Sequence, residues 1–309
     1  RKINDNIDLN DSSVVEMKTL KILQTIDHIK LFSSLNPFDF GKISYLHSQN
    51  DILSSGGLVK SLSVSVGVPF SENSVEKFYL EYFMEGIKYE ADKDKCLISS
   101  GHSYQSKESG ITLTLNGEIE SNSSKHSARN GDLIYLSKPL GTGYLLAAYF
   151  NNSEKLSSKD FENIINNLKR GNLFTVNSAR NSGSKAMTDI SGFGLSSHLI
   201  DICLSSNLSS ELSLNQDILI NSNLDLLKKY QSTSFKSNQK ASGKYIKISD
   251  NHPLKNILFD PQTNGPILIA IEKQNQRKFE NYFLNKSDVK PILIGRFVDK
   301  LEKAIYVSE

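Results

Sequence analysis

Four aspartates near the ends of predicted strands or helices are the side chains best suited to chemistry: Asp11, Asp27, Asp51 and Asp189. Carboxylates gathered around a hard cation bind Mg²⁺, and the bound ion in turn holds phosphate oxygens. Aspartate is also common at helix caps and in turns, for purely local reasons. Spacing alone therefore leaves two interpretations open for each residue, a metal ligand or a local cap.

Three glycine-containing segments form a second group of candidates: Gly101-His102-Ser103, Gly141-Thr142-Gly143 and Gly192-Phe193-Gly194. Glycine lets the backbone approach a phosphate closely, and the start of a following helix offers free N–H groups to an anion. None of the three matches the Gly-x-x-x-x-Gly-Lys-Ser/Thr phosphate loop or the Gly-x-Gly-x-x-Gly dinucleotide turn. Each is predicted to be a turn, and a plain connector explains each one as well as a phosphate contact does.

The histidines and cysteines give weaker signals. His102 and His198 stand beside two of the glycine segments, where a structural role is the commoner one for a lone histidine. Cys96 and Cys203 lie in apolar runs, so we expect buried and unreactive thiols. Two cysteines can build neither a disulfide framework nor a four-ligand zinc site.

Alternating strand and helix patterns must position these residues. Strands are predicted over 20–26, 62–66, 96–98, 111–115, 132–136 and 267–271. Helices are predicted over 38–46 and 74–89, over 158–180 as one or two, near 224–230, and starting at Tyr144 and Leu195. The rest of 205–250 is predicted to be loops. Strands and helices in both halves predict an α/β or α+β fold, and the polar stretch 121–130 is the predicted linker between domains 1–127 and 128–309.

Composition excludes several classes of protein. The 309 residues carry 36 Lys and Arg against 34 Asp and Glu, so charge gives no support for a nucleic-acid partner or an acidic membrane surface. The sequence has no apolar run of about 18 residues, the length that a transmembrane helix needs. With two cysteines, it predicts a soluble protein of a reducing compartment. Its start at Arg1 rather than Met suggests further residues upstream.

Three segments of the second half read GDLIYLSKPLGTG over 131–143, TDISGFGL over 188–195 with His198 after it, and FDPQT over 259–263. They resemble the GD-L-L-TKPLGTG, TDVTGFGL..H and FDPQTSGG segments of selenophosphate synthetases, also called selenide, water dikinases. First-half segments follow in family order: NDSSVV resembles DDAAVV, QTID resembles QTVD, PFDFGKI resembles DPYDFGRI and SGHS resembles GGHS. The resemblance covers nearly the whole chain, and the same scheme occurs in aminoimidazole ribonucleotide synthetase and thiamine-monophosphate kinase.

This resemblance implies a fold and a reaction. The N-terminal domain would bind ATP and Mg²⁺ and would contribute strands to a dimeric barrel. In that barrel the predicted strands 62–66 and 111–115 would pair along their edges with strands of a second chain. An α/β domain would follow the N-terminal domain. The reaction would convert ATP, selenide and water into selenophosphate, AMP and phosphate in a cytoplasmic homodimer. Asp11, Asp51 and Asp189 match the Mg²⁺ ligands of the family. Asp27, Asp51 and the segment Gly101-His102-Ser103 match its ATP contacts.

The sequence departs from the family at its start. The family opens with a glycine-rich segment that holds a catalytic Cys or selenocysteine and a Lys, whereas the ten residues before Asp11 contain neither Cys nor Gly. The catalytic residues are therefore unassigned, and this chain alone is expected to bind Mg²⁺–ATP weakly without turnover. Alternatives are another ATP-dependent synthetase or kinase of the superfamily, or a degenerate homologue that only binds nucleotide or dimerises. Fusion behind an oxidoreductase domain, as in some family members, is one explanation of the start at Arg1.

Overall fold

The computed structural model describes residues 11–17, 20–32, 35–121, 123–286 and 290–308. It divides into two compact units, residues 1–122 and 123–309. The division falls in the polar stretch predicted to be a linker, but part of that stretch is folded: Lys125–Ser127 form a 3-10 turn, and Lys125 is buried. The assignment of separate functions to domains 1–127 and 128–309 stays a prediction. The first ten residues, on which the expected lack of a catalytic segment depends, lie outside the described residues.

In its described residues, the first unit is a five-stranded sheet with two helices on one face. Its strands are β1 Ser13–Met17, β2 Leu20–Lys30, β3 Gly57–Pro69, β4 Leu97–Ser106 and β5 Gly110–Ile119, and its helices are α1 Pro37–Ser54 and α2 Asn73–Lys93. The strand order is β1-β2-β5-β3-β4, and of these five strands only β3 and β4 pair in parallel. Helix α1 packs on β2, β5 and β3, and α2 packs on β3 and β4.

Strands β3 and β5 alternate apolar and polar residues, and each lies between two other strands of this sheet. In β3, Leu62, Val64 and Val66 are buried, while Ser63 and Ser65 between them are half-exposed on the other face. The predicted strands 62–66 and 111–115 are confirmed as parts of β3 and β5. The expectation that both need edge partners from a second chain is wrong, because each is paired on both edges within this chain.

The edge strand β4 differs most from its prediction. Residues 96–98 were predicted to form a short buried strand that ends in a glycine turn. Instead β4 runs for ten residues, most of them exposed, and Gly101-His102-Ser103 lie in its middle. Parallel pairing with β3 keeps this polar segment extended although its own pattern indicates a turn. Strand β2 likewise continues past residue 26 to Lys30, because it pairs with β5 over that length.

The second unit is a seven-stranded sheet with seven α-helices in the described part of the chain. Its strands are β6 Leu133–Leu136, β7 Met187–Asp189, β8 Leu208–Leu212, β9 Ile246–Lys247, β10 Ile267–Ile271, β11 Ile292–Asp299 and β12 Ile305–Val307, in the order β7-β10-β6-β11-β8-β12-β9. Its helices are α3 Thr142–Phe150, α4 Ser158–Leu168, α5 Leu173–Asn181, α6 Gly194–Ser205, α7 Leu224–Lys229, α8 Phe235–Ser242 and α9 Gln276–Asn281. No helix within the described ranges combines the length and the apolar character needed to cross a bilayer.

Most predicted elements of this unit are confirmed. The strands at 132–136 and 267–271 and the helix from Leu195 are present as β6, β10 and α6. The prediction that 205–250 holds only loops and one helix is wrong, since β8, α8 and β9 also lie there. The sequence pattern does not indicate strand β8, because the polar residues Ser209 and Ser210 lie in its centre. Both are fully buried. Their hydroxyls donate to the backbone oxygens of Lys303 and Ala304 at 2.7 and 3.2 Å, which compensates for their burial.

Candidate metal and nucleotide site

Three of the predicted aspartates lie together in the first unit. Asp11 precedes β1, Asp27 lies within β2, and Asp51 lies in the last turn of α1. Ser54 Oγ donates to Asp11 Oδ2 at 2.7 Å and to the Asp51 backbone oxygen at 3.2 Å. Thr25 Oγ1 donates to Asp51 Oδ2 at 2.5 Å, and Asp27 lies two residues, about 7 Å, along the same face of β2. The fold therefore gathers residues that are far apart in sequence.

Buried polar atoms without a hydrogen-bond partner occur within this cluster and at residues close to it in sequence. Among the described residues they include Asp27 Oδ2, Ser12 Oγ and Ser48 Oγ. Ser12 follows Asp11 directly, and Ser48 lies one helical turn before Asp51. An unsatisfied buried polar group costs about 1–3 kcal/mol, and clustered carboxylates repel one another unless a cation lies between them. Oxygen atoms of this kind are the ligands that Mg²⁺ prefers, so the donor set fits the ion that the resemblance implies.

The predicted ATP contacts on β4 do not lie beside these aspartates within one chain. Asp27 pairs with Leu113, Leu113 with Val64, and Val64 with Gly101, so three strand spacings separate β2 from β4. That is about 14 Å at the usual 4.7–4.9 Å per strand. Asp27 and Gly101 are therefore not neighbours within one chain, and the role of Gly101-His102-Ser103 as ATP contacts stays a prediction.

Asp189, the fourth predicted aspartate, belongs to the second unit. It ends β7 and is almost fully buried. A ring nitrogen of His198, on α6, lies within 4.8 Å of one of its carboxylate oxygens. The His198 ring is held by Thr188 Oγ1, 3.4 Å from Nδ1, and by the Ser191 N–H, which donates to Nε2 at 3.4 Å. Sequence reasoning treated His198 as structural, whereas its place beside Asp189 makes it a candidate ligand.

The glycine segment at the start of α3 is held by groups of the protein itself. Gln262 Oε1 accepts hydrogen bonds from the N–H groups of Gly141 and Thr142 at 2.9 and 3.1 Å, and Asp260 Oδ2 accepts one from Gly143 at 3.1 Å. A Cβ on Gly143 would lie 2.5 Å from Asp260 Oδ1. The N–H groups that the sequence offered to a phosphate are thus already satisfied, which supports the connector interpretation for this segment. The FDPQT segment carries the family resemblance, but its sequence does not indicate that it accepts hydrogen bonds from the segment before α3.

Asp260 makes the stability of this unit depend on pH. Burial raises the pKa of Asp260 to about 8, although the hydrogen bonds from Gln262 and Gly143 favour the charged form. An unfolded Asp has a pKa of about 3.9, so between pH ~4 and ~8 the folded state holds a proton that the unfolded state lacks. This group is therefore expected to lower stability as pH rises through that range and to add nothing further above it. Melting temperatures of the wild type and Asp260→Asn between pH 5 and 9 measure the difference.

In the D260N variant residue 260 is neutral at every pH, so the variant should lose the pH dependence of stability that Asp260 contributes. Asp250→Asn is the matched control, because Asp250 is exposed and pairs with Lys255, which lowers the pKa of its carboxyl. Its melting temperature should follow the wild type from pH 5 to 9. Equal slopes for the wild type and D260N would contradict the assignment.

The two cysteines are buried and poorly ionised, as expected from the sequence. Burial raises the pKa of the Cys96 thiol to about 11 and that of Cys203 to about 12. The Cys203 thiol donates to the Ala304 backbone oxygen at 3.5 Å. Since the thiolate is the nucleophile, neither side chain is suited to attack at neutral pH.

Comparison with known proteins agrees with this two-unit architecture. The family model described as AIR synthase related protein, N-terminal domain, matches residues 9–119, and the corresponding C-terminal domain matches residues 129–308. A curated relative, the selenide, water dikinase of Shewanella sp. (strain MR-7), is 28% identical over 263 residues, which cover 84% of this chain and 73% of the relative.

Two solved structures share the fold. Thiamine monophosphate kinase from Aquifex aeolicus superposes with a TM-score of 0.67 at 21% identity, covering 96% of this chain and 91% of that one. Hydrogenase maturation protein HypE in complex with ATP gives 0.67 at 14% identity, covering 97% and 84%. At these identities the likeness shows the fold alone. The predicted two-domain α/β fold is confirmed.

Proposed function

The chain belongs to the AIR synthase-related family and is by resemblance a phosphotransferase, and we propose that, together with a catalytic Cys and Lys segment of the family type, it converts ATP, selenide and water into selenophosphate, AMP and phosphate. Similarity to selenide, water dikinases over 84% of the chain supports this reaction. The observation that carries nucleotide binding is the carboxylate cluster, in which Ser54 and Thr25 hold Asp11 and Asp51 while Asp27 Oδ2 is left without a partner. A cytoplasmic location and an upstream oxidoreductase domain stay predictions.

The residues of the chain have distinct parts in this proposal. Asp11, Asp51 and Asp27 would hold Mg²⁺ in the first unit, and Asp189 with His198 would form a separate candidate ligand pair within the second unit. When bound, magnesium neutralises the charge of the phosphate oxygens. Ser54 and Thr25 orient the carboxylates by hydrogen bonds, so that the ligand oxygens need little reorganisation when ATP arrives.

The edge strand β4 supports association into a homodimer. Among the described residues, β4 pairs only with β3, so its outer edge offers backbone groups along ten mostly exposed residues. A long open edge of this kind is a template for pairing with another chain. We propose that a second copy covers it and that Gly101, His102 and Ser103 contact ATP at the site of that second copy. This arrangement would explain their distance from Asp27 in the same chain.

Light scattering tests the dimer. At micromolar concentration the chain should have twice its 34.5 kDa mass. Because the proposed interface uses β4, Tyr104→Lys at this edge should shift the population toward monomer, whereas Tyr306→Lys, in the second unit, should not. A wild type that stays monomeric would contradict the proposal.

The nucleotide product tests the reaction. With ATP, Mg²⁺ and selenide under anaerobic conditions, the chain extended upstream by a family-type Cys and Lys segment should release AMP and phosphate, and phosphorus NMR should detect selenophosphate. The 309-residue chain alone should bind Mg²⁺–ATP without turnover. Release of ADP with thiamine monophosphate as acceptor would instead assign the kinase alternative. Binding of ATP by the extended chain with no product under either condition would assign the non-catalytic alternative, and either outcome overturns the proposed reaction.

A further inference from the structure

A cleft of about 600 Å³ lies at the C-terminal end of α4 in the second unit. Its polar lining consists of Asn163, Asn166, Asn167, Lys169 and Arg170. These side chains are amides and cations, and none of the described residues that line the cleft is acidic. The polar chemistry of the cleft is therefore that of hydrogen-bond donors and positive charge.

A buried lysine lies behind the residues that line this cleft. Lys138 is fully buried, and its Nζ donates to the backbone oxygens of Asn167 at 3.2 Å and Arg170 at 2.8 Å. Asn264 Nδ2 donates to the backbone oxygens of Leu168 and Arg170. The carbonyl groups at the end of α4, which would otherwise repel an anion, are thus occupied by donors.

The lining and the residues behind it include polar groups in unfavourable surroundings. Burial first, and then the positive charge of Arg170, hold the pKa of Lys138 well below its ordinary value, so the two groups disfavour one another. Asn167 is itself more than nine-tenths buried, and its Nδ2 has no hydrogen-bond acceptor. An oxyanion would give this amide an acceptor.

We propose that the cleft binds a phosphate group, either as inorganic phosphate or pyrophosphate or as part of a small phosphorylated molecule. Asn163 and Asn166 lie on α4 three residues apart, so both amides face the same side, and Lys169 and Arg170 follow at the end of the helix. Pro139, at the start of the segment that leads into α3, also lines the cleft. A bound phosphate therefore lies next to that segment. The inference does not depend on the selenide reaction.

Calorimetric titration tests this site with the full chain. Pyrophosphate, inorganic phosphate and glycerol 3-phosphate are the probes, and EDTA removes divalent metals, so the aspartates of the first unit cannot hold a metal–phosphate complex. We expect binding with Kd below about 1 mM. Tighter binding of glycerol 3-phosphate than of phosphate identifies an organic phosphate as the ligand type, and the reverse order identifies the inorganic ion.

Charge reversal within the cleft supplies the decisive comparison. The double variant Asn163→Asp/Asn166→Asp keeps side-chain size on two exposed positions and should weaken binding at least about tenfold. Asn281→Asp/Asn285→Asp adds the same charge to the same unit at exposed positions outside the cleft lining, and should change Kd less than about twofold. Absence of binding by the wild type, or equal weakening in both double variants, would overturn the proposal. Circular dichroism melts verify that all three proteins are equally folded.

Discussion

Replacing Asp27 with asparagine is expected to lower ATP turnover by about 10²–10³-fold in the chain extended by a family-type Cys and Lys segment. Its Oδ2 is the buried carboxylate oxygen of the first-unit cluster without a partner, and the amide of asparagine removes one negative ligand from the proposed Mg²⁺ site. Thr25 and Asp51 keep their own hydrogen bond, so the fold should persist. Without metal the variant should be at least as stable as the wild type, since one clustered charge is gone.

Magnesium-dependent stabilisation provides a second measurement on the same variant. A ligand at 100 times its Kd stabilises the folded state by about 2.7 kcal/mol, and D27N should lose most of that increase in melting temperature. Asp92→Asn is the matched control, because Asp92 is exposed on α2 and, among the described residues, forms an ion pair with Lys88, which is also exposed. The control should keep both turnover and the response to magnesium. If D27N keeps them as well, the carboxylate cluster does not hold the metal.

Replacing Gly86 with alanine is expected to destabilise the first unit by about 1–3 kcal/mol or more. Helix propensity alone predicts the opposite, a gain of about 1 kcal/mol for alanine inside α2. In the structure α1 crosses so closely that a Cβ on Gly86 would lie 2.0 Å from the Phe38 backbone oxygen, and one on Gly41 would lie 2.2 Å from that of Phe83. Backbone atoms cannot move aside as a flexible side chain can, so the helices must separate.

Urea denaturation of Gly86→Ala measures this effect. Gly243→Ala is the control, because Gly243 has helical backbone angles and no atom within 4 Å of an added Cβ. Alanine there should stabilise the second unit by about 0.4–1 kcal/mol through the unfolded state. If G86A is as stable as the wild type, the two helices do not approach as closely as described.

Local patterns were sufficient for the elements that are buried on one face or on both. The alternation over 62–66 marks β3 because its apolar residues face the helices and its serines do not. The continuous run Ile267–Ile271 marks β10 because both faces of that strand are buried. The aspartates were identified as candidates by residue type alone.

Tertiary contacts determine the conformation and burial of residues for which the local sequence pattern gives the wrong prediction. Gly101 lies within a strand rather than a turn because β4 pairs with β3 while most of its side chains stay exposed, so it has no alternation to detect. Ser209 and Ser210 are buried because distant carbonyl groups accept their hydrogen bonds.

The same distinction between local sequence information and tertiary contacts applies to the candidate site. The amino-acid sequence by itself determined which side chains could bind a metal ion, because the chemistry of a carboxylate is local to its residue. It did not determine that Ser54 joins Asp11 to Asp51, or that Gln262 already occupies the N–H groups before α3. Those contacts join residues up to 121 positions apart, and only the packed chain brings such residues within hydrogen-bond distance.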